Sequence, residues 1–204
     1  MSYNIFIFYP EIFKVESKFF RKLNNIFSKV LKCNIYFFHD RNHYIKKFFD
    51  QYDMAENLIE IENISDFEIT HAIIFDDGDE LAVDVYNYLK NNNITTRLIK
   101  IKITKVLNID VDLKYKAIKS NAEYEYIGRG SNWGNPYAMT SYSNEDREKV
   151  INLFKYDFEK DILLKVKKQE VYKLLGKKLG CFCKPFACHG DILADYLNSW
   201  DDGK

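Results

Sequence analysis

Apolar residues in the first half of the chain recur in two alternating patterns. Short, nearly continuous apolar runs are typical of buried strands, and they occur at 4–10, 33–40, 57–63, 71–77 and 95–104. Apolar residues at helical spacing fall between these runs, at 15–32, 43–52 and 79–93. Strands that alternate with helices predict a mostly parallel sheet. We therefore predict a Rossmann-like α/β fold for the N-terminal half.

The pattern changes beyond residue 105. The segments that follow are a mixed polar stretch (105–122), a glycine-containing loop (124–139) and a helix (143–165). A helix end with a strand after it (171–183) and a last helix (188–200) complete the half. Ser143 stands three residues before Asp146, which is typical of a capped helix start. These elements predict a small α/β domain. We place the boundary between a domain at 1–110 and a domain at 111–204.

Charge and composition narrow the class of protein. Thirty basic residues balance thirty acidic ones, so no overall positive field favours nucleic acid as a partner. No signal-peptide pattern opens the sequence and no apolar run has the length of a membrane span, which predicts a soluble cytoplasmic protein without a membrane partner. Abundant Asn, Lys and Ile are typical of AT-rich genomes such as those of phages, and a phage protein would act in the host cytoplasm. The oligomeric state stays open.

The segment YIGRGSNWGNPY (126–137) combines glycines, one arginine and aromatic residues. Its three glycines permit positive φ angles or close backbone approach, and Arg129 offers a planar guanidinium to a phosphate or a carboxylate. The candidate ligand-binding residues of the loop are Gly128, Gly130, Ser131, Asn132, Trp133, Gly134 and Asn135. The loop predicts a cradle for a nucleotide or a phosphosugar, and the alternative is a structural turn held by Pro136.

Three cysteines and a histidine stand in GCFCKPFACHGD (180–191). Cys188 and His189 begin the last predicted helix, where the partial positive charge of the helix terminus favours a thiolate. Asp191 either orients the imidazole or caps the helix. Cys188, His189 and Asp191, together with Arg129, are therefore the candidate catalytic residues.

The same stretch supports two other interpretations. Cys181 and Cys183 lie two apart, so on a strand their side chains point to one face. With Cys188 and His189 they make a set of ligands that suits zinc, which is the alternative cofactor. The spacing is unusual for zinc, for which Cys-x2-Cys is the common pattern, and adjacent Cys188 and His189 would strain joint ligation. Buried cysteines that pack as small apolar side chains are the remaining interpretation.

An acidic turn separates a predicted strand from a helix in HAIIFDDGDELAVDVYNYLKNNNI (71–94). The stretch from Gly78 onward resembles a segment of the SLOG superfamily of nucleotide-binding domains, in its DUF2493 branch, although the Gly-Gly that precedes that segment is absent. The resemblance implies that Asp79 contacts a ribose or another part of a nucleotide. The alternative is a capped helix with solvated acidic side chains.

The glycine loop and the cysteine stretch together closely resemble the DUF4326 domain, over about residues 124–197. The family pattern is an Ile-Gly-Arg…Gly-Asn-Pro loop, a helix, and Gly-Lys-x-Leu-x-Cys-x-Cys…Cys-His-Gly-Asp. It maps onto Gly128, Arg129, Gly134, Asn135, Pro136, Cys181, Cys183, Cys188, His189 and Asp191. The family has no settled activity, so the resemblance leaves the chemistry open.

Three functions follow from these observations. The first is an enzyme that processes a nucleotide, nucleoside or nucleotide-sugar, with hydrolysis or transfer at an N-glycosidic bond by analogy with SLOG relatives. The second is a nucleotide-binding or sensing protein without chemistry, and the third is a zinc-stabilised structural domain. The enzyme hypothesis requires the glycine loop and the cysteine stretch to converge on one pocket.

Overall fold

A computed structural model describes residues 3–28, 32–141 and 143–203. The chain divides into two compact units, Met1–Ile101 with Asp201–Lys204, and Lys102–Trp200, named here the N-terminal unit and the C-terminal unit. The division falls earlier than residue 110, where the sequence analysis places it. The reason is that the strand Lys105–Asn108 pairs with a strand of the C-terminal unit.

The described part of the N-terminal unit holds five strands and three α-helices. They are β1 (Tyr3–Phe8), α1 (Glu16–Phe27), β2 (Cys33–Phe37), α2 (Tyr44–Tyr52), β3 (Ala55–Glu60), β4 (His71–Asp76), α3 (Glu80–Asn91) and β5 (Thr95–Lys100). Neighbouring strands pair in parallel, in the order β3-β2-β1-β4-β5. The predicted Rossmann-like α/β fold is confirmed.

Burial of the central strands explains their nearly continuous apolar sequences. Phe6 of β1 and Ile74 of β4 have no exposed surface, and neither has Phe19 of α1. The helix predicted over 15–32 begins at Glu16. It ends at Phe27, and residues 29–31 of the predicted helix lie outside the described residues.

β2 ends before its predicted limit, and Asp40 lies in the segment between β2 and α2. The sequence predicts a strand to residue 40, whereas β2 ends at Phe37. The buried carboxylate of Asp40 accepts hydrogen bonds from the Tyr9 hydroxyl (2.6 Å) and from the backbone amides of Ile45 (3.2 Å) and Lys46 (3.0 Å). Burial, and then the contact with Asp40, raises the pKa of Tyr9, so its hydroxyl stays protonated and donates. The chain therefore turns inward at Asp40 to begin α2.

The described part of the C-terminal unit is a small α/β domain. Its strands and α-helices are β6 (Lys105–Asn108), β7 (Tyr124–Tyr126), α4 (Asn144–Glu159), β8 (Lys178–Cys181) and α5 (His189–Asn198). The strands form a parallel sheet in the order β6-β8-β7. Among all described helices of the chain, none is long and apolar enough to cross a membrane.

Several details of this unit differ from the prediction. β6 and β7, which have only four and three residues, lie in segments that the sequence analysis takes as a polar stretch and a loop. Such short strands show too little alternation to be recognised, and they form because β8 pairs with both. The segment before Gly176 is a 3-10 helix, and β8 ends at Cys181 rather than at Cys183.

The long helix of the unit begins as predicted and ends earlier. The Ser143 hydroxyl accepts a hydrogen bond from the Asp146 amide (3.1 Å), which confirms the capped start. The sequence analysis extends the helix to residue 165, but α4 ends at Glu159. Asp161 has a φ angle of 55°, a left-handed conformation that a helix does not continue through.

Candidate functional site

The C-terminal unit gathers three cysteines and one histidine. Cys181 is the last residue of β8, Cys183 lies in the turn that follows, Cys188 is the N-cap of α5, and His189 is its first residue. The sulfurs of Cys181 and Cys183 are 3.5 Å apart, and the Cys188 sulfur is 3.7 Å from Nδ1 of His189. The Cys181 sulfur, the Cys188 sulfur and a His189 ring nitrogen all lie within 4.8 Å of one another. The sequence analysis expects strand geometry to place the Cys181 and Cys183 side chains on one face. Instead β8 ends at Cys181, and the turn after it brings the two sulfurs together.

One contact orients the His189 ring. Its Nε2 lies 3.0 Å from the carbonyl oxygen of Ile127, and because a carbonyl only accepts, Nε2 carries the proton. Nδ1 is then the nitrogen with a free electron pair, and it faces the Cys188 sulfur. The side chain is buried, and this burial lowers the pKa of His189, so the ring is neutral at neutral pH. A neutral imidazole with a fixed tautomer is the form that binds metals.

The three thiols share hydrogen bonds, and this changes their acidity in opposite directions. Hydrogen bonds with Cys181 and then with Cys183 raise the pKa of Cys188, and burial adds to the effect. The same contacts lower the pKa of Cys183, because its neighbours donate to it. These directions favour the thiolate form at Cys183 over that at Cys188. Cys188 is 1% exposed, whereas Cys183 is only partly buried.

The glycine loop and the cysteine stretch line one pocket of the C-terminal unit. The pocket has a volume of about 380 Å³. Its lining includes Gly128, Arg129 and Asn135 from the loop, and Cys181, Cys183, Cys188 and His189 from the cysteine stretch. The arrangement puts two guanidinium groups, those of Arg129 and Arg147, three sulfurs and an imidazole around one space.

Close packing accounts for two of the loop glycines. A Cβ atom at Gly134 would lie 2.7 Å from the carbonyl oxygen of Gly128, and one at Gly128 would overlap the ring of Tyr126. Gly130 has a φ angle of 92°, where nothing crowds the backbone. A side chain at 134 would therefore move the backbone of the loop that carries Arg129, whereas one at 128 would displace the Tyr126 ring.

The other loop residues have different surroundings. The Asn135 amide donates to the Val150 carbonyl (2.9 Å), and its oxygen accepts from the Tyr137 amide (2.9 Å), so this side chain holds the loop in place. Trp133 is 8% exposed and packs in the core of the unit. With Ser131 and Asn132 it lines a second pocket of about 420 Å³. The side chain of Arg129 is exposed.

Asp191 caps α5. Its carboxylate accepts a hydrogen bond from the Cys188 backbone amide (2.9 Å) and pairs with the Lys184 ammonium group (2.7 Å). Of the two roles that the sequence analysis considers for this residue, the contacts show helix capping.

Arg147 is a pocket residue that the sequence analysis does not single out. It comes from α4, and its guanidinium lies over the Phe186 ring, 5.2 Å from the centroid. Its Nε atom is buried and has no hydrogen-bond partner among the described residues. An arginine on an amphipathic helix carries no signal of its own in the sequence, because most such residues face solvent.

Asp79 lies in the N-terminal unit, at the carboxyl ends of the strands. The strand order reverses beside β1, since β2 and β3 lie on one side of it and β4 and β5 on the other. A pocket of about 580 Å³ lies at this reversal. Its lining includes Tyr9, Phe38, His39, Arg41 and Asp79. Asp79 is the N-cap residue of α3, but its side chain makes no capping hydrogen bond.

Comparisons with known proteins agree with both resemblances. The model of the Minimal SLOG domain matches residues 2–107, and the model of a Domain of unknown function (DUF4326) matches residues 111–199. An uncharacterized 12.4 kDa protein in the nrdA-td intergenic region of Enterobacteria phage T4 is 44% identical over 73 residues, which are 35% of this chain and 65% of that protein. No solved structure matches the chain.

These matches indicate only a broad class of function. SLOG domains are associated with nucleotide-related ligands, so the N-terminal match indicates a nucleotide-related function. The relative from phage T4 is uncharacterized and adds no activity. The minimal SLOG model spans more than half of the chain, so the chain belongs to the minimal SLOG domain family, and the DUF4326 model matches the segment that follows.

Proposed function

We propose that the protein binds a nucleotide-class ligand in the pocket of its N-terminal unit. The observation that carries the proposal is the position of this pocket at the reversal of strand order, with Asp79 at its edge. In open parallel sheets, ligands bind in the crevice at the carboxyl ends of the strands, where the order reverses. Membership of the minimal SLOG family supports a nucleotide as the class of ligand.

Different side chains around the pocket suit different parts of a nucleotide. Phe38 offers an apolar ring for a base, and Arg41 offers a cation for a phosphate. Asp77 and Asp79 accept hydrogen bonds, so they suit the hydroxyl groups of a ribose. Acidic groups beside the start of α3 oppose a phosphate there, although helix N-termini otherwise favour one. We therefore place the ribose near α3 and the phosphate near Arg41.

The substitution Asp79→Asn tests this placement. A hydrogen bond to a charged group contributes about 1.5–3 kcal/mol, so we expect affinity for a ribonucleotide to fall about 10- to 100-fold. Calorimetric titration of the full chain with ribonucleosides, ribonucleoside monophosphates and their deoxy counterparts measures it. Asp84→Asn, which changes an exposed carboxylate further along α3, is the matched control and keeps wild-type affinity.

Two results would contradict the proposal. One is a folded wild-type chain that binds no member of this panel. The other is that both Asp79→Asn and Asp84→Asn bind a ribonucleotide as tightly as the wild-type chain does, which would place the ligand away from α3.

A second candidate function is hydrolysis or transfer at an N-glycosidic bond in the C-terminal unit. The observation that favours it is the shared pocket of the Gly128–Arg129 loop and the Cys188–His189 pair. Arg129 would hold a phosphate or a nucleotide-sugar, and Cys188 or His189 would attack or move a proton. Burial of the Cys188 sulfur favours a metal-binding role over a nucleophilic one, because a nucleophile must reach its substrate.

Release of free base measures this activity. We expect wild-type protein, incubated with nucleosides and nucleoside monophosphates, to release base detectable by chromatography, and Arg129→Ala to release at least about tenfold less through the loss of a charged hydrogen bond. Lys155→Ala, which removes an exposed cation of α4 outside this pocket, is the control. Absence of base release from every substrate would remove this candidate and leave ligand binding in the N-terminal unit untouched.

A further inference from the structure

We propose that Cys181, Cys183, Cys188 and His189 bind a single zinc ion in the C-terminal unit. Three of the four donors, those of Cys181, Cys188 and His189, already lie within 4.8 Å of one another. Cys183 joins them through its sulfur, which is 3.5 Å from that of Cys181. Three thiolates and one imidazole are a common ligand set of structural zinc.

The spacing of the donor atoms fits one ion. In a tetrahedral site with Zn–S bonds of about 2.3 Å, neighbouring donor atoms lie about 3.5–3.8 Å apart. The distance of 3.5 Å between the Cys181 and Cys183 sulfurs and that of 3.7 Å between the Cys188 sulfur and His189 Nδ1 fall at such edges. The adjacency of Cys188 and His189 in sequence does not prevent joint ligation, because both side chains turn to the same side at the start of α5.

Contacts behind the ligands support the same arrangement. A histidine that binds zinc usually donates its other ring N–H to a carbonyl or a carboxylate, which fixes the free nitrogen towards the metal. His189 does this through Nε2, to the Ile127 carbonyl at 3.0 Å. The Gly190 amide donates to the Cys188 sulfur at 3.4 Å, a contact that stabilises a thiolate. The contact of Nε2 leaves Nδ1 with the free electron pair that zinc requires, and this nitrogen faces the Cys188 sulfur.

Ordinary burial of cysteines explains less of what is observed. Single buried cysteines pack as small apolar groups and need no particular direction. Here two sulfurs and one ring nitrogen, from a strand end and a helix start, lie within 4.8 Å of one another, and the turn adds the Cys183 sulfur beside that of Cys181. Thiolates and imidazole select zinc over magnesium or calcium, which prefer oxygen ligands. As the ion binds, Zn–S bonds replace S–H bonds and the thiol protons leave to solvent.

The zinc ion would join three segments of the C-terminal unit. Cys181 ends β8, Cys183 belongs to the turn, and Cys188 and His189 begin α5. Four protein ligands fill a tetrahedral site, so the ion stabilises the fold and leaves no position for a substrate. Cys188 is then a ligand and not a nucleophile. This inference is independent of nucleotide binding in the N-terminal unit.

Metal analysis of the full chain, purified under reducing conditions without chelators, tests the inference. We expect about one zinc per chain, held through dialysis. Cys183→Ala removes the most accessible ligand, and we expect its affinity for zinc to fall at least about 100-fold, beyond what the loss of an outer contact causes. Cys33→Ala, which removes a buried cysteine of the N-terminal unit, keeps the wild-type zinc content.

Cobalt substitution of the wild-type chain provides a second measurement that needs no variant. Cobalt bound by thiolates in a tetrahedral site gives intense visible and sulfur-to-metal absorption bands. We expect these bands to saturate at about one equivalent and to disappear on addition of zinc. Folded wild-type protein that contains no zinc and gives no such bands would overturn the inference. A Cys183→Ala variant that binds zinc as tightly as the wild type would also overturn it.

Discussion

Replacing Asp40 with alanine is expected to lower the free energy of unfolding of the N-terminal unit by about 3 kcal/mol. The carboxylate is 5% exposed and accepts three hydrogen bonds, from the Tyr9 hydroxyl and from the backbone amides of Ile45 and Lys46. Alanine leaves the buried hydroxyl without this acceptor, at a cost of about 1–3 kcal/mol. It also leaves the first-turn amides of Ile45 and Lys46 without their acceptor, and the loss of such a cap-like contact costs about 1 kcal/mol.

Urea denaturation measures this loss, and amide hydrogen exchange locates it. We expect faster exchange at Ile45 and Lys46, because their amides lose their acceptor. Asp40→Asn retains one acceptor oxygen, so it should lose less stability than Asp40→Ala. Asp50→Ala, which changes an exposed residue near the other end of α2, is the control. An unfolding free energy of Asp40→Ala within about 0.5 kcal/mol of the wild type, the range of ordinary surface changes, would contradict the prediction.

Replacing Gly180 with alanine is expected to destabilise the C-terminal unit by about 3 kcal/mol, at the upper end of the usual cost of overpacking. Gly180 lies in β8, the central strand of the small sheet, and a Cβ atom there would lie 2.6 Å from two ring carbons of Tyr124. Tyr124 has no exposed surface and stacks on Tyr115, with ring centroids 4.5 Å apart. The ring therefore has no space into which it could retreat.

A second substitution makes this prediction specific. The Tyr124 hydroxyl is buried without a hydrogen-bond partner among the described residues, and it is the nearest atom to the added Cβ. Tyr124→Phe alone should therefore be neutral or slightly stabilising. In the double variant it should recover part of the loss, so that the two changes are not additive. Thermal unfolding of the wild type, the two single variants and the double variant measures the coupling. Strictly additive stability changes, or a Gly180→Ala variant as stable as the wild type, would argue against the clash.

The sequence determines the alternating strands and helices of the N-terminal unit. Strands that are buried on both faces need continuous apolar runs, and surface helices need apolar residues on one side, so both signals are local. β1 and α3 were predictable for this reason. The limits of elements were less predictable, because β2 already ends at Phe37 and the following Asp40 contacts Tyr9, a residue 31 positions away.

The sequence also determines which residues belong to the candidate sites, but not what they do. The loop with Arg129 and the stretch with Cys188 and His189 stand out through residue types and spacing. Their chemistry depends on direction and burial. Arg147 is an example of a pocket residue that the sequence does not identify. Nothing in its helical context distinguishes it from a solvated arginine, and only the packing of α4 places it at the pocket.

What the sequence by itself determined is therefore the α/β class, the family resemblances and the set of chemically notable residues. Only the tertiary structure decided that β6 and β7 exist, that the turn after β8 brings Cys183 to Cys181, and that His189 turns Nδ1 towards the sulfur of Cys188. The physical reason is that these features depend on contacts between residues far apart in the chain. His189 acquires its orientation from the Ile127 carbonyl, 62 positions earlier.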